Sequence, residues 1–381
     1  MLLKISLEKS MENIPLSLYI HFPWCKKKCP YCDFNSLEIQ SDTPVSEYVS
    51  VLESDLKSEL VNEKRKKLVS IFLGGGTPSL IPGSELKALF KIIANEFELL
   101  NTEITIEANP GSSEFSNFCD YKFLGINRLS IGAQTFNERA LEKIGRIHNS
   151  SDIENAFDLA RKAYFDNINV DIMYGLPNQT VSEAIDDLEK TIALDPEHIS
   201  WYELTIEPNT LFFKNPPKIP SDLRKEQMFE VGKEKLLAAG YNQYEISAYA
   251  KSGKQSKHNT NYWEFGDYLG IGAGAHGKLT KASGVTRTKK TRNPKDYLKD
   301  PRSLSKEVDS EELLTEFLMN ALRLTNGFDL SLFEQRCLQQ RSNLTPFLSR
   351  AIEKNLIEVG EDRMSPTKKG SLFLNELLLL A

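Results

Sequence analysis

Apolar and polar positions alternate in two regular ways over residues 16–240 of this chain. Short β-like runs occur at Leu16–Phe22, Leu68–Leu73, Ile104–Ala108, Arg128–Ala133, Ile168–Met173 and Ile199–Thr205. Amphipathic segments with a helical period occur at Val45–Val61, Glu85–Phe97, Ile153–Tyr164, Val181–Leu194 and Leu223–Ala239. Strands that alternate with helices form βαβ units and a parallel sheet. Six such units predict an α/β fold, a partial (β/α)6, TIM-like barrel.

The alternation ends near residue 240. A β-like stretch at Tyr241–Tyr249 leads to a polar loop at Lys251–Lys257. Three helices, a β pair and a last helix are then predicted, at Ser310–Leu324, Leu330–Leu338, Pro346–Lys354, Ile357–Met364 and Pro366–Leu380. We divide the chain into an N-terminal extension (1–15, with Met11 as an alternative start), a barrel (16–240), a barrel extension (241–295) and a helical, winged-helix-like C-terminal domain (296–381).

Polar residues follow the predicted barrel strands at the points where these strands end. They are a cysteine loop after the first strand, Gly74–Pro78 after the second, then Glu107, Gln134, Asp171 and Thr205–Glu207. In parallel barrels the carboxyl ends of the strands form the active-site face. The sequence therefore predicts one site at this end of the barrel.

The cysteines Cys25, Cys29 and Cys32 have the spacing C-x3-C-x2-C. Three thiolates suit a [4Fe–4S] cluster in which one iron lacks a protein ligand and can bind a small molecule. A Cys3His zinc site with His21 is the alternative, although structural zinc ligands usually come as two separated pairs. The remaining Cys119 and Cys337 are predicted to be small buried apolar side chains.

Composition narrows the function classes. The chain has 47 basic and 53 acidic residues, a net charge of −6, and no basic stripe of the kind that binds nucleic acid. Five cysteines in 381 residues are few and odd in number, which fits a reducing compartment. No run reaches the length of a membrane span or signal peptide. We predict a cytoplasmic protein, with at most peripheral membrane contact through its leucine-rich last helix.

Several side chains near the strand ends suit a small charged ligand. The Gly74–Gly76 turn allows close approach of the backbone. Glu107 and Asp171 offer acceptors for an ammonium group or ribose hydroxyls, and Arg146 offers a guanidinium fork for a carboxylate.

The cysteine run resembles the signature of the radical S-adenosylmethionine (SAM) superfamily. Over residues 16–277 the chain resembles the oxygen-independent coproporphyrinogen III oxidases and their relatives, the HemW-type haem chaperones. The matching segments are Tyr19–Asn35, Gly74–Ser79, Glu107–Gly111, Arg128–Phe136, Gly145–His148, Asn169–Thr180 and Ser200–Thr210. The resemblance implies that SAM chelates the open iron and is cleaved to a 5′-deoxyadenosyl radical.

The resemblance also implies the residues that contact the cofactor. The equivalents of Tyr19, Gly75, Gly76, Thr77, Glu107, Gln134, Arg146 and Asp171 contact SAM in that family. A second SAM, which touches the equivalent of Tyr31, is implied for the oxidase branch.

Two departures distinguish the branches of this family. The oxidases have a fourth cysteine where this chain has Phe34, and a longer segment before the cluster, where only 24 residues precede Cys25 here. The run His258-Asn-Thr-Asn-Tyr-Trp263 matches the H-N-x-x-Y-W pattern of the chaperones, and Tyr268–Gly277 also follows that branch.

This motif is compatible with haem. His258 can ligate iron, Tyr262 and Trp263 can cover the porphyrin, and Asn259 and Asn261 can bond its propionates. The alternative is that His258 caps a turn and the aromatic rings belong to the core. His276 is a rival iron ligand, and His148 and His198 are predicted to be structural.

The predicted function is a haem chaperone that carries a [4Fe–4S] cluster and SAM and delivers haem to respiratory haem proteins. A second copy of the chain is a further candidate partner. The enzyme alternative is the oxidative decarboxylation of coproporphyrinogen III to protoporphyrinogen IX, and methyl transfer is a third, weaker candidate.

Overall fold

A computed structural model describes residues 13–61, 63, 65, 67–111 and 114–381. The alternative start at Met11 and most of the predicted extension 1–15 lie outside this range. Strands β1–β8 are Leu16–Phe22, Trp24–Cys25, Leu37–Glu38, Ser70–Gly75, Glu103–Ala108, Arg128–Gln134, Ile168–Tyr174 and His198–Glu203. Strands β9–β17 are Asn242–Glu245, Ala248–Ala250, Asp267–Ile271, His276–Lys281, Gly284–Lys289, Leu304–Glu307, Phe328–Asp329, Ile357–Val359 and Arg363–Pro366.

The α-helices alternate with the barrel strands and then dominate the C-terminal part. Helices α1–α8 are Val45–Leu60, Gly83–Glu96, Glu114–Phe123, Glu138–Lys143, Ser150–Lys162, Val181–Ala193, Leu211–Lys214 and Asp222–Ala238. Helices α9–α15 are Lys257–Trp263, Pro294–Lys299, Ser310–Ala321, Leu330–Cys337, Thr345–Glu353, Lys368–Leu372 and Leu374–Leu378.

One twelve-stranded sheet organises the barrel, in the order β14-β13-β12-β11-β1-β4-β5-β6-β7-β8-β10-β9. The six predicted strands, β1 and β4–β8, are parallel neighbours, and β11 adds a seventh parallel strand beside β1. Every residue of β6 is buried, as expected for a parallel strand covered on both faces. The predicted fold class, an α/β partial barrel, is confirmed.

The covering helices begin where local hydrogen bonds favour them. Asn149 and Thr180 form capping boxes at the starts of α5 and α6, each with the acidic residue three positions later. The buried face of α5 carries Ile153, Ala156, Phe157 and Ala160 at helical spacing, and Ile153, Phe157 and Ala160 belong to the hydrophobic core shared with the sheet.

The C-terminal part has a hydrophobic core of its own. Helices α11–α13 surround a three-stranded sheet in the order β15-β17-β16. Phe265, from the segment before β11, is buried in this core and joins it to the barrel. The single helix predicted over Pro366–Leu380 is wrong, because Phe373 (φ −111°, ψ 45°) separates α14 from α15.

Two further predictions concern the isolated cysteines and a membrane-spanning helix. Cys337 is buried, as predicted, whereas Cys119 is exposed on α3, so that prediction is wrong. Within the described ranges, no helix has both the length and the apolar character that a membrane crossing requires.

Candidate functional site at the carboxyl ends of the barrel strands

The three cysteines lie in the segment that follows β1: Cys25 ends the short strand β2, and Cys29 and Cys32 lie in the loop after it. A backbone hydrogen bond from Cys32 N to Cys29 O (3.1 Å) tightens this loop. All three are free thiols, and the Cys25 and Cys32 sulfurs make only long contacts, with Leu37 O at 3.6 Å and Ser36 Oγ at 3.7 Å. Burial raises the pKa of the Cys25 thiol to about 11, and the neighbouring cysteines add to the shift. Three weakly bonded sulfurs on one loop fit three irons of a [4Fe–4S] cluster.

The geometry of His21 does not suit the zinc alternative. Its Nδ1 meets the Tyr19 hydroxyl at 2.9 Å, and its Nε2 meets Asn35 O at 2.9 Å. In the described part of the chain, no three His, Cys, Asp or Glu side chains converge on a point suited to a single metal ion. The ligands of a [4Fe–4S] cluster bind different irons and need no such convergence.

The glycines at the carboxyl end of β4 pack directly against the start of the cysteine loop. A Cβ at Gly76 would lie 2.3 Å from Trp24 O, and one at Gly75 (φ 113°) would lie 2.5 Å from the His21 ring. Thr77 N donates to Trp24 O at 2.7 Å. These positions therefore require glycine, because a side chain would push the cysteine loop away from β4.

Two carboxylates face the barrel interior on neighbouring parts of the sheet. Glu107 Oε2 accepts a hydrogen bond from Gly75 N at 3.0 Å. Burial and the nearby Asp171 raise the pKa of Glu107 to about 8. Burial also raises the pKa of Asp171, although hydrogen bonds from Asn169 (2.8 Å) and Ser130 (3.0 Å) offset part of the effect. Two destabilised negative charges in one place favour a cationic ligand.

Arg146 connects this region to the cysteines. Its Nη1 lies 3.7 Å from Cys29 Sγ, and its Nη2 donates to Asn109 Oδ1 (2.5 Å) and Gly132 O (2.7 Å). Its Nε is a buried donor without a partner in the described part of the protein. Arg146, Cys29, Thr77 and Asn109 line a common cavity.

Asn109 is a site residue that the sequence analysis did not single out. It donates to Thr77 Oγ1 at 2.7 Å and accepts from Arg146, so it holds two predicted SAM contacts in place. Its position just after β5, before Pro110, was the available signal, because it continues the strand end that carries Glu107.

The remaining predicted contacts lie at the same end of the barrel or deeper inside it. Gln134, the last residue of β6, is buried with φ 70° and accepts a hydrogen bond from Tyr202 at 2.7 Å. A positive φ at a non-glycine residue stores strain and is common at functional sites. Tyr19 and Asp171 lie at mid-strand, and Tyr31 packs against Phe212 of α7 with ring centroids 6.4 Å apart.

The H-N-x-x-Y-W motif lies at the opposite end of the barrel, on α9. His258 N donates to Glu103 Oε1 (3.2 Å), and Asn261 Nδ2 donates to Ser17 Oγ (2.9 Å). Glu103 and Ser17 belong to the first two residues of their strands, so α9 closes the amino end of the barrel. The structure therefore separates this motif from the cysteine loop.

The His258 side chain is 1% exposed and fully bonded within the protein. Its Nδ1 meets Ser70 Oγ at 2.8 Å, its Nε2 meets the Tyr262 hydroxyl at 2.9 Å, and its ring stacks on Phe72 at 4.9 Å. Burial lowers its pKa to about 3 and keeps the imidazole neutral. Haem ligation by His258 stays a prediction, and it would require one of these hydrogen bonds to break.

The other residues of the motif belong to the same helix, α9. Asn259 is part of its first turn, where Asn259 N donates to Ser256 Oγ at 3.3 Å. The Trp263 ring is covered by the Arg323 guanidinium, 4.2 Å from its centroid, at the contact with the C-terminal domain. His148 and His198 are buried and hydrogen-bonded, as predicted, to Ala133 O and to Asn169 and Tyr244.

A stability measurement tests whether His258 helps α9 to close the amino end of the barrel. We expect His258→Ala to lower the free energy of unfolding by about 2–4 kcal/mol, because it leaves a cavity and an unpaired buried Tyr262 hydroxyl. Urea denaturation followed by circular dichroism measures the effect. His276→Ala is the control, because this histidine is exposed and should change the midpoint little. Equal urea midpoints for the two variants would contradict the structural role of His258 at the amino end of the barrel.

Two family models match the chain. The radical SAM superfamily matches residues 19–191, and the HemN C-terminal domain matches residues 308–373. The fold is similar to that of a solved structure, coproporphyrinogen III oxidase (HemN) from Escherichia coli, described as a radical SAM enzyme. The TM-score is 0.82 at 22% sequence identity, and the match covers 98% of this chain and 92% of that one.

Curated relatives match over almost the whole chain. A protein named heme chaperone HemW from Haemophilus influenzae is 48% identical, with 96% of this chain and 97% of the relative covered. The protein of the same name from Escherichia coli is 44% identical, with 96% and 98% covered. The chain therefore belongs to the radical SAM superfamily and, within it, to the HemW family.

Proposed function

We propose that this protein is a haem chaperone that binds haem and hands it to haem-accepting proteins. The observation that carries the proposal is the 44–48% identity, over 96% of the chain, to two proteins named heme chaperone HemW. The position of Phe34 supports it as well. This side chain is 61% exposed where the oxidase branch is expected to have a fourth cysteine.

Cys25, Cys29 and Cys32 would hold the [4Fe–4S] cluster, and the residues around Arg146 would hold SAM. When bound, the cluster supplies one electron at an open iron. The chain's own residues would orient the second ligand. Arg146 has a free buried Nε donor for a carboxylate, while Glu107 and Asp171 offer negative charge to an ammonium or sulfonium group.

The raised pKa of Glu107 predicts that SAM affinity depends on pH. The Glu107 carboxyl is protonated below about pH 8, so affinity for a cationic ligand should rise as pH rises through that value. Glu107→Gln should remove this part of the dependence. Anaerobic isothermal titration calorimetry of both proteins with SAM across this pH range measures the dependence. Changes in the protonation of SAM itself affect both proteins equally and cancel in the comparison. Parallel pH profiles would contradict the assignment.

The same shift makes a prediction about the ligand-free protein. The folded state binds the Glu107 proton more tightly than the unfolded state does. The stability from this group is therefore complete below its unfolded pKa and is lost as pH rises through about 8.

The acceptors that we propose are respiratory haem proteins, and the proposed location is the cytoplasm, with at most peripheral contact with a membrane. A homodimer is a further proposal for the form that transfers haem. Pull-down of the haem-loaded protein with candidate acceptors, followed by transfer of the Soret band, tests the first of these. Size-exclusion chromatography with and without haem tests the homodimer.

An anaerobic haem titration of the reconstituted protein tests the central proposal. We expect saturable binding of about one haem per chain, measured by the Soret absorbance. A parallel assay with coproporphyrinogen III, SAM and a reductant should give no protoporphyrinogen IX. No saturable haem binding together with porphyrinogen turnover would overturn the chaperone function and favour the oxidase.

A further inference from the structure

His276 differs from the other histidines of the chain in being exposed. The chain has five histidines, all of them in the described ranges, and His21, His148, His198 and His258 are buried and hydrogen-bonded. Neither ring nitrogen of His276 has a hydrogen bond or an ion pair to the described residues. Of the five imidazoles, it is the one that can bind an external iron without rearrangement.

His276 also lies at the same end of the barrel as the cysteine loop. It opens β12, directly after the turn at the carboxyl end of β11. Asn35, three residues after Cys32, fixes this turn to the cysteine loop. Its Nδ2 donates to Ala273 O and to Arg292 O, both at 2.9 Å.

The surroundings of His276 are cationic and partly apolar. Lys289 is its cross-strand neighbour, and both Lys289 and Arg292 are exposed without an acidic partner among the described residues. The His276 side chain is exposed but its ring is partly shielded from water, and this desolvation, together with the charges of Arg287, Lys289 and Arg292, lowers its pKa and favours the neutral imidazole. Phe34 precedes Asn35, which contacts the Arg292 backbone, and its side chain is 61% exposed.

We propose that His276 is the iron ligand of the bound haem, with Lys289 and Arg292 as partners of the propionates and Phe34 against the porphyrin face. This inference rests on the proposed haem-chaperone function. The charges are complementary, since haem has two carboxylates and this patch presents two unpaired cations. The site would hold haem beside the cysteine loop, on the far side of the barrel from α9.

Titrations with two porphyrins test the ligand. Reconstituted full-length wild type and His276→Ala are titrated anaerobically with ferric haem and, in parallel, with iron-free protoporphyrin IX. We expect His276→Ala to weaken haem binding by about tenfold or more. It should change the Soret position, leave protoporphyrin IX affinity unaltered, and regain the wild-type spectrum when imidazole is added. Wild-type haem affinity and spectrum in His276→Ala would overturn the ligand assignment, and so would equal losses for both porphyrins.

A second pair of variants tests the cations. The double substitution Lys289→Gln, Arg292→Gln should weaken the binding of both porphyrins by roughly fivefold at low salt and by less at high salt. Lys281→Gln, at the exposed far end of the same hairpin, is the matched control and should have no effect. Equal behaviour of the double variant and the control would overturn the propionate contacts. Absence of saturable haem binding in the wild type would instead overturn the chaperone function itself.

Discussion

Replacing Cys29 with alanine is expected to abolish the iron–sulfur cluster. Anaerobic reconstitution of the wild type should give about four irons per chain and a broad brown absorbance, because the three thiolates would hold three of the four irons. With Cys29 absent, the loop retains only Cys25 and Cys32 and cannot hold a stable cluster. Iron and sulfide analysis with visible spectroscopy measures the loss.

Cys119→Ala is the matched control for this experiment. Cys119 is a free, exposed thiol on α3, outside the cysteine loop. Its replacement should leave the iron content unchanged, so any loss in Cys29→Ala reflects the position of the thiol and not the number of thiols. A Cys29→Ala protein that still holds four irons would remove the cluster assignment.

The second large effect is expected for SAM binding in Arg146→Ala. The variant loses a guanidinium whose Nε is buried and free for a ligand and whose Nη2 positions Asn109. Loss of a charged hydrogen bond at such a site should weaken binding by about 1–3 kcal/mol, roughly 5- to 150-fold. Anaerobic isothermal titration of the cluster-loaded protein with SAM measures this change.

Arg146→Lys and Arg139→Ala make this test specific. Lysine keeps the positive charge but lacks the planar fork, so it should recover only part of the affinity. Arg139 is exposed on the neighbouring helix α4, and its loss should change nothing. Unaltered affinity in Arg146→Ala, with an intact cluster, would mean that this arginine does not contact SAM.

Much of the barrel could be predicted from the sequence because its signals are local. The bounds of β1 are those predicted, and β5–β8 begin or end within a few residues of the apolar runs. The prediction missed β11 as a seventh parallel strand. Its pairing partner β1 lies near the other end of the chain, and no local period reveals a contact of that kind.

Some residues of the candidate SAM site could be predicted from local sequence signals, and others could not. Glu107 and Gln134 are recognisable from sequence because they end strands, and parallel strands bring their carboxyl ends together. Asn109 was missed because its importance comes from two long-range partners, Thr77 and Arg146. A sequence pattern contains no information about which side chains complete each other's hydrogen bonds across a barrel.

Residue spacing and hydrophobic periodicity are enough to predict the alternation of strands and helices and the end of the barrel at which Cys25, Cys29 and Cys32 lie. Which histidines are accessible, by contrast, depends on long-range contacts that form in the folded protein. His258 is buried and hydrogen-bonded to Ser70, 188 positions earlier in the chain, whereas His276 is exposed. The physical reason is that spacing and periodicity are local properties, while burial and hydrogen-bond saturation depend on partners that only folding brings together.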